Sequence, residues 1–433
     1  MSAQAHGRML AICATLLSLT TSAHADLKKD LRFKSRGELA LESRVFPDDD
    51  NADTIDQAIG LFGRLEAKAK QKPFRQKLRV FGRVDERDRQ RSTFVVEEAW
   101  AEMRLKDFRL KIGVDIVNWT ATEAFHPADV LNSRNLDSDI ENFEKVGEPM
   151  VTASYGWSGG RLYLYFMPFF VKPIFTSPNS RLAFGAGEPN FGGFDLRRPI
   201  RTDRDGELTD EPLVPQGAAR IVQTIGSADI SVHALHQADR SQPYFTFDPQ
   251  AMQPRLLFQE VFQVGGTYQQ VFEFGLITKL EAAHRMFYTG DAIIGTGPVE
   301  DRDHTQVAVG LEYGIPHEFG GESTLIVEGQ SYFGVSEEIR QFQLGIFQRD
   351  ALVGWRLALN DEDSTEIFAS VIVDVEREEE ILANLSYKQR FFDTWSAALA
   401  VRWYHAPQKE ETPIGLELLD RADHLRLNIT RYF

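Results

Sequence analysis

The chain has 433 residues, a formal net charge of −16 at pH 7 and a mean hydropathy of −0.30. The acidic balance argues against nucleic acid as a partner, since polyphosphate attracts basic surfaces. No apolar run of about 18 residues follows the first 25 residues, which excludes transmembrane helices. It does not exclude a membrane barrel, whose strands show only every second side chain to lipid.

The first 25 residues have the pattern of a secretory signal peptide. His6 and Arg8 precede an apolar run that ends at Leu19, and Ala23-His-Ala25 has the small-x-small form that signal peptidase cleaves. The run is shorter than the about 20 apolar residues of a membrane anchor, which is the alternative. We expect cleavage after Ala25, which leaves residues 26–433 as one domain. Cleavage would also remove the only cysteine, Cys13, so we expect no disulfide and no thiolate metal site.

Alternation of apolar and polar residues predicts β-strands along the rest of the chain. Between 348 and 360, for example, Val353, Trp355 and Leu357 share one face, while Arg356 and Asn360 share the other. The pattern predicts about 18 strands (range 16–18), near 32–46, 57–70, 76–87, 93–105, 108–118, 149–157, 160–168, 217–225, 227–238, 254–268, 271–287, 303–315, 322–334, 348–360, 364–376, 380–391, 394–406 and 422–433.

The connections between these strands alternate between tight turns and long loops. Tight turns are expected at Lys106-Asp107, Gly226 and Phe392-Asp393, among others, and long loops at 119–148, 169–216, 239–253, 288–302, 335–347 and 407–421. This alternation is typical of transmembrane barrels, which have short periplasmic turns and long extracellular loops. The sequence therefore predicts an all-β fold, a transmembrane antiparallel up-and-down β-barrel in a Gram-negative outer membrane. A soluble sandwich is the alternative for the alternating strands.

Two of the predicted loops are long enough to fold into the barrel. In the loop 119–148, Ile140 and Phe143 stand at helical spacing and suggest a short amphipathic helix, so this loop could constrict a pore. The loop 169–216 is rich in Gly, Pro and Phe. A plug, a substrate gate and a mobile surface loop remain open for it.

The polar faces of the strands would line the lumen if the apolar faces meet lipid. The candidate pore-lining residues carry both signs of charge: Arg79, Arg83, Glu98, Glu102, Arg104, Lys111, Lys279, Glu281, Arg285, Arg356, Asp374, Lys388, Arg390, Arg402 and Arg426. The basic members concentrate near 76–118 and on the last strands, which barrel closure brings together. We expect either a basic wall facing an acidic one or simple pairing across neighbouring strands.

The common catalytic and metal signatures are absent from the sequence after the leader. It has no G-x-S-x-G, H-E-x-x-H, P-loop or C-x-x-C motif, so we expect no enzymatic activity, no cofactor and no metal site. His233 and His236 are three residues apart, which on a strand places them on opposite faces. Asp48-Asp-Asp50 with Asp53 departs from a dedicated calcium loop and favours a solvated acidic segment.

Three stretches carry a resemblance to known barrels: Lys111–Trp119, Phe125–Asn132 and Glu148–Tyr155. They are similar to a block in poorly characterised porin-like and alginate-export-like barrels. The leader, the run of strands and the terminal Phe433 resemble the Gram-negative outer-membrane porin superfamily.

The resemblance implies a non-enzymatic channel for passive diffusion of small polar or charged solutes. Export of an anionic polysaccharide and a structural or plugged barrel without conductance remain alternatives. It also implies contact with outer-membrane lipid, lipopolysaccharide and the barrel-assembly machinery, while the oligomeric state stays open. The assembly signal would comprise Leu427, Ile429, Tyr432 and Phe433, although Arg431 stands where such barrels usually have an aromatic or apolar residue.

Overall fold

The computed structural model describes residues 31–47, 54–140, 143–177, 179–183, 200–202, 208–209, 211, 213–248, 253–288, 293–294, 297–298, 302–407 and 414–433. The expected signal peptide and the acidic segment 48–53 lie outside these residues, so both remain predictions. Among the described residues, no helix has the length and the apolar character that crossing a bilayer requires.

Eighteen strands form one large sheet. They are β1 (Arg32–Val45), β2 (Gln57–Gln71), β3 (Phe74–Asp85), β4 (Thr93–Leu105), β5 (Phe108–Asp115), β6 (Glu148–Trp157), β7 (Gly160–Phe169), β8 (Leu213–Ile225), β9 (Ala228–Ala238), β10 (Glu260–Val271), β11 (Leu276–Phe287), β12 (His304–Pro316), β13 (Glu322–Phe333), β14 (Asp350–Ala358), β15 (Glu366–Asp374), β16 (Ile381–Phe391), β17 (Trp395–His405) and β18 (His424–Tyr432).

The sheet closes on itself because the last strand pairs with the first. Each strand is antiparallel to its sequence neighbours, and β18 pairs with β1 from Leu425 opposite Val45 to Tyr432 opposite Glu38. Gly37 and Phe433 add two backbone hydrogen bonds of 2.8 and 3.0 Å beyond that register. Closure leaves no unpaired strand edge in the ring. The predicted fold class, an all-β antiparallel barrel of 18 strands, is confirmed.

The outer face of the barrel is apolar and exposed. Mid-strand side chains such as Leu61, Val327, Val353 and Leu385 keep 49%, 50%, 60% and 53% of their surface accessible. Each strand carries at least one such residue, so the exposed positions form a continuous apolar belt. A soluble sandwich would bury this face under a second sheet, whereas a membrane barrel presents it to lipid.

The structure also places the four residues that the sequence assigns to barrel assembly. Leu427 and Ile429 lie on the belt side of β18, Tyr432 shares the opposite face with Glu38, and Phe433 is exposed at the end of the chain. The Phe433 ring covers Gly37 and leaves no space there for a Cβ atom. Their part in assembly stays a prediction.

One predicted strand, 254–268, is wrong at its start. β10 begins at Glu260, and residues Gln253–Phe258 instead join a small separate sheet with Tyr244–Asp248, Ile200–Thr202 and Leu208–Thr209. The apolar residues of both segments follow one another almost without interruption in the sequence, so alternation alone does not reveal the break at Gln259.

The belt predicts opposite outcomes for two adjacent residues near the middle of β16. Leu385 faces outward, whereas Ser386 is opposite Phe368 and Ala400 on the inward face. We expect Leu385→Arg to lower the free energy of unfolding by about 2–4 kcal/mol, because it places a cation in hydrocarbon. Ser386→Arg is the matched control and should cost far less, since its half-buried side chain faces the lumen between the inward residues Asn384 and Lys388 of the same strand.

The measurement is a urea titration of both variants in phospholipid vesicles, followed by tryptophan fluorescence. Equal destabilisation by the two substitutions would contradict the assignment of faces.

Candidate functional site: the inner loop across the lumen

The connection between β5 and β6, residues 116–147, is mostly buried in its described parts, 116–140 and 143–147, although these contain little regular secondary structure. We call it the inner loop. Trp119, Phe125, Ala128 and Leu131 are at most 3% exposed. Connections normally run over a protein's surface. Hydrogen bonds to inward residues of the wall place this connection inside the barrel, which is where the sequence analysis expected that it could fold.

Two glutamates of the wall accept hydrogen bonds from the backbone of the inner loop. Glu281 on β11 accepts from the amides of Ala121, Thr122 and Ala128, at 2.5, 3.0 and 3.2 Å, and from the Thr122 hydroxyl at 2.8 Å. Glu328 on β13 accepts from the next two amides, those of residues 123 and 124, at 2.6 and 2.9 Å. Ionised carboxylates only accept hydrogen bonds, so these two groups suit a row of amides that has no strand partner.

Wall donors bind the carbonyl groups of the same stretch. Arg285 and Gln263 donate to the Pro127 carbonyl at 3.1 and 3.3 Å, and Gln237 donates to the Val130 carbonyl at 2.7 Å. The backbone between residues 121 and 130 is therefore held from β9, β10, β11 and β13.

Arginines hold the inner loop from the other side of the barrel. Asp139 receives both Nη1 and Nη2 of Arg426, at 2.7 and 3.1 Å, and lies 3.0 Å from Arg402. Asp137 pairs with Arg83 on β3 and, at 2.7 Å, with Arg91. Bidentate arginine–carboxylate contacts are among the stronger and more directional polar contacts in proteins.

The inner loop crosses the full width of the lumen. Glu123 lies 3.6 Å from Arg356, whose strand, β14, is half-way round the ring of 18 strands from β5. Lys279 on β11 lies 3.1 Å from the same carboxylate. A segment that starts and ends on neighbouring strands thus reaches the opposite wall.

The root of the inner loop is braced by two residues of the Phe125–Asn132 stretch. The Asn132 side chain accepts from the Val117 amide at 2.8 Å and donates to the carbonyls of Asp115 and Val146 at 3.0 Å. Asp129 accepts from the Trp119 amide at 3.0 Å. Sequence reasoning noticed this stretch by resemblance only and did not assign these contacts.

Asp129 stays ionised because cations surround it. Burial would raise the pKa of this carboxyl, but Arg134 and Lys145, with which it forms ion pairs, outweigh burial and hold the pKa below its usual value. The ionised carboxylate thus links Asp129 to Arg134 and Lys145 in the second half of the inner loop.

The expected helix near Ile140 and Phe143 includes residues 141–142, which lie outside the described part of the chain. The residues on either side of it form a small antiparallel hairpin, in which the two-residue strands Arg134–Asn135 and Glu144–Lys145 pair. The first part of the next connection, residues 170–177, packs on this hairpin through a 2.8 Å hydrogen bond from the Leu136 amide to the Ile174 carbonyl.

An apolar cluster lies inside the barrel on the long-loop side of the inner loop. Its larger loop members are Phe46, Phe125, Ile140, Leu182, Leu416 and Leu419, and its wall members include Ile326, Leu352, Ile372, Leu382 and Tyr404. The expectation that inward positions are polar is therefore wrong for this part of β13–β17. Loop side chains cover these residues, which removes the reason for a polar inner face.

Glu380, next to this cluster, has an unusual protonation equilibrium. It precedes β16, is 2% exposed, accepts from the Leu416 amide at 3.1 Å and pairs with Arg377. Burial raises the pKa of this carboxyl to about 7, although the Arg377 charge opposes the rise.

All fifteen candidate pore-lining residues occupy inward positions in the strand register. Their accessibility differs. Glu281, Arg285, Asp374 and Arg402 are at most 4% exposed beneath the loops. Arg79, Arg104, Lys111, Arg356, Lys388 and Arg390 retain accessible surface. That they line an ion-conducting pore stays a prediction.

Ion pairs cross the wall formed by β1–β4. Arg64 lies 2.9 Å from both Glu38 and Glu97, and Arg79 lies 2.7 Å from Glu97. Glu97 escaped the sequence assignment because the register shifts at Arg79/Val80, and this bulge turns both Glu97 and its neighbour Glu98 inward. On this wall the charges pair across strands, as the alternative interpretation expected.

No group of three or more potential metal ligands occurs among the described residues. His233 shares the inward face of β9 and lies 4.9 Å from the Trp119 ring, whereas His236 lies on the other face, 3.3 Å from Glu260. The pair cannot chelate one ion.

Solved structures of three Pseudomonas aeruginosa outer-membrane porins share this fold. OccK5 (OpdH) is 11% identical, with a TM-score of 0.54 over 94% of this chain and 99% of that chain. OpdO is 10% identical, with a TM-score of 0.51 over 95% and 99%. OccD3 (OpdP) is 10% identical, with a TM-score of 0.50 over 94% and 92%. At such identities the likeness shows the fold alone. No protein-family model and no curated protein sequence matches the chain.

Removing one wall carboxylate should loosen the inner loop. In Glu281→Ala, the amides of Ala121 and Thr122 lose their acceptor, and a hydrogen bond to a charged group contributes about 1.5–3 kcal/mol. We therefore expect their hydrogen exchange to accelerate by roughly 10- to 100-fold.

Glu312→Ala is the matched control, since this carboxylate on β12 pairs with Lys279 rather than with the loop backbone. Mass spectrometry of the peptide around residues 119–130 reports the exchange. Unchanged protection in Glu281→Ala would show that the inner loop is held by something else.

The Glu380 carboxyl should make the neighbouring segment sensitive to pH. Its pKa lies above the ordinary value of 4.5, so the native state binds the proton more tightly than the unfolded state. The contribution of Glu380 to the stability of the segment 414–419 is therefore greatest below about pH 4.5 and is lost as pH rises through about 7.

Hydrogen exchange of this segment at pH 5 and pH 8, corrected for intrinsic rates, measures the effect. Glu380→Gln should remove the difference and Glu378→Gln, an exposed neighbour, should retain it. A difference that persists in Glu380→Gln would assign the titration to another group.

Proposed function

We propose that the chain is an outer-membrane channel through which small polar or charged solutes diffuse passively, with the inner loop as its constriction. The observation that carries the proposal is that the inner loop crosses the lumen. Because it is hydrogen-bonded to opposite walls, it narrows the lumen without a separate plug domain. The apolar belt supports a position in lipid, and the likeness in fold to porins supports a channel.

The orientation follows from the two ends of the barrel. The turn end, where Lys106-Asp107 joins β4 to β5, would face the periplasm together with both ends of the described chain. The loop end, with the apolar cluster, would face outward toward lipopolysaccharide. Leu427, Ile429, Tyr432 and Phe433 would be read by the assembly machinery.

Charged groups beside the inner loop would set the ion selectivity. The Asp139 side chain is 34% exposed between Arg402 and Arg426, and the Glu123 side chain is 38% exposed beside Arg356. Each acid thus forms an ion pair with an arginine of the wall and keeps part of its own surface accessible to the lumen. Such a transverse arrangement orients polar solutes and biases the passage of ions.

A plugged barrel is the second candidate, and the apolar cluster favours it. Phe125 of the inner loop and Leu416 of the connection before β18 meet in this cluster, which narrows the loop end. Export of an anionic polysaccharide has less support, because the inner loop crosses the path that a polymer would need. We propose no enzymatic role, since the sequence contains none of the common catalytic motifs.

Planar-bilayer recording of the refolded protein tests the channel. We expect steady single-channel steps in KCl. Asp139→Asn should lower the cation-to-anion permeability ratio roughly twofold or more, because it leaves two arginines uncompensated in a narrow space.

Asp393→Asn, in the exposed β16–β17 turn, is the control and should leave the reversal potential unchanged. A complete lack of conductance in the wild type would overturn the channel proposal and support the plugged barrel.

A further inference from the structure

The first strand runs on past the last strand at the turn end of the barrel. β18 pairs with β1 only as far as Glu38, and the bonds between Gly37 and Phe433 complete that contact. Residues Arg32–Arg36 continue beyond it and pair with β2 alone among the described strands. These five residues, which we call the β1 overhang, extend roughly 16 Å beyond the closed ring. One edge of the overhang is open in the described part of the chain.

The open edge presents backbone groups that suit one further strand. The Gly37 amide donates to the Phe433 carbonyl and the Phe433 amide donates to the Gly37 carbonyl, so the backbone of Gly37 points toward β18. Successive residues of a strand point to alternate sides, and the backbone groups of Ser35 and Phe33 therefore point to the same side as Gly37. Unpaired edges of this kind are templates for an extended chain.

Cations stand in rows across the three strands behind this edge. Each row takes one residue from β1, one from β2 and one from β3, and the first two rows are Arg32, Lys70 and Arg75, then Lys34, Lys68 and Lys77. Like charges directly opposite each other destabilise a sheet, so the rows lower the stability of the barrel in isolation. A bound anionic group would offset this effect.

Most of these six cations have no carboxylate partner. Lys68 lies 2.8 Å from Glu66, and Lys77 pairs with Glu98. The four that form no ion pair among the described residues are Arg32, Lys34, Lys70 and Arg75. The chain as a whole has a net charge of −16, so this local excess of positive charge is opposite in sign to the average surface.

The position of the cations favours a localised partner over an anionic membrane surface. The opposite side of the turn end is acidic, with Asp361–Asp363 in the β14–β15 turn and Glu318 in the β12–β13 turn. Lipid headgroups would surround all sides of a barrel and would meet its outward face. In the β1 overhang that face carries Phe33, whereas the cation rows continue the inward face.

The same cations determine which strand the edge accepts. Lysine and arginine on an open edge prevent unwanted strand pairing, since they repel other cations. The β1 overhang of a second copy of this chain would bring Arg32 and Lys34 against like charges. A strand with carboxylates at alternate positions escapes this repulsion and is attracted instead, so the charges select an acidic partner.

We propose that the β1 overhang binds an extended acidic segment of a partner protein as an added antiparallel strand. The backbone of the segment pairs with Phe33 and Ser35, and carboxylates at every second position lie beside Arg32 and Lys34. The intervening side chains share a face with the Phe33 ring, which is 63% exposed. The proposal goes beyond the proposed channel and rests on it only for placing the overhang in the periplasm.

Fluorescence anisotropy of labelled peptides tests the proposal on the refolded wild-type protein in non-ionic detergent. The probe is a peptide of about six residues, the length of an ordinary strand, in which Glu alternates with Thr. N-methylation of its Thr residues blocks the amides that would face Phe33 and Ser35 and keeps every carboxylate. N-methylation of its Glu residues blocks the amides that would point away.

We expect saturable binding of the probe and of the peptide methylated at Glu. The peptide methylated at Thr should bind roughly tenfold or more weakly, because it loses the hydrogen bonds to the edge. A peptide of the same composition with all Glu residues in one block should also bind weakly. Equal binding of all four peptides would indicate general attraction of anions and would overturn the proposal.

Charge variants locate the binding. Arg32→Gln/Lys34→Gln should weaken probe binding roughly tenfold or more. The matched control is Lys388→Gln/Arg390→Gln, which removes the same two residue types at the same spacing from the exposed turn end of β16, where β15 and β17 flank the strand. The control should bind like the wild type. Equal losses in the two double variants would remove the site from the β1 overhang.

A backbone variant tests strand addition without changing the charge. Ser35→Pro removes one amide from the open edge, a position at which a sheet tolerates proline. It should weaken probe binding while tryptophan fluorescence shows a folded barrel, and Ser35→Ala should bind like the wild type. Full binding by a folded Ser35→Pro variant would contradict pairing at this edge. Failure of the channel is distinguishable, since a barrel without conductance still binds the probe if the proposal holds.

Discussion

The structure depends on one constraint: the peptide groups of the inner loop lie inside a barrel and need hydrogen-bond partners there. Glu281 and Glu328 accept from the amides of residues 121–124 and 128, and Arg285, Gln263 and Gln237 donate to the carbonyls. An unpaired buried amide costs about 1–3 kcal/mol, so these wall residues fix where the loop can lie. Because they stand on β9–β13 and the loop begins on β5, the loop has to cross the lumen.

The crossing gives the lumen two different halves. Toward the loop end, apolar side chains from the wall and from several connections pack around Phe125. Toward the turn end, Arg109 and Arg220 border an open, aromatic-lined cavity. The arginines at Asp139 lie between them, where the loop meets β17 and β18. The two halves of the lumen therefore differ in polarity.

The sequence predicted the barrel well because strand periodicity is local. A period of two assigns each side chain to a face, which is why eighteen strands and the inward positions of fifteen charged residues could be read directly. The period of two gave the wrong face where a β-bulge inserts an extra residue into a strand, as at the bulge that turns Glu97 inward. It also failed for Leu352 and Ile372, which are apolar inside because distant loops cover them. The anchoring contacts of Glu281 join residues more than 150 positions apart, and no local pattern records them.

The most direct test of the account is whether residue 123 lies against the opposite wall. The only cysteine, Cys13, lies in the predicted signal peptide, so the double variant Glu123→Cys/Arg356→Cys, expressed from residue 26 and refolded, would have two thiols. A short bis-maleimide should bridge them in the folded barrel, giving an internally cross-linked chain by peptide mapping. The pair Glu123→Cys/Asp107→Cys, near the start of β5, should stay unbridged. Bridging of the second pair alone would contradict a loop that spans the lumen.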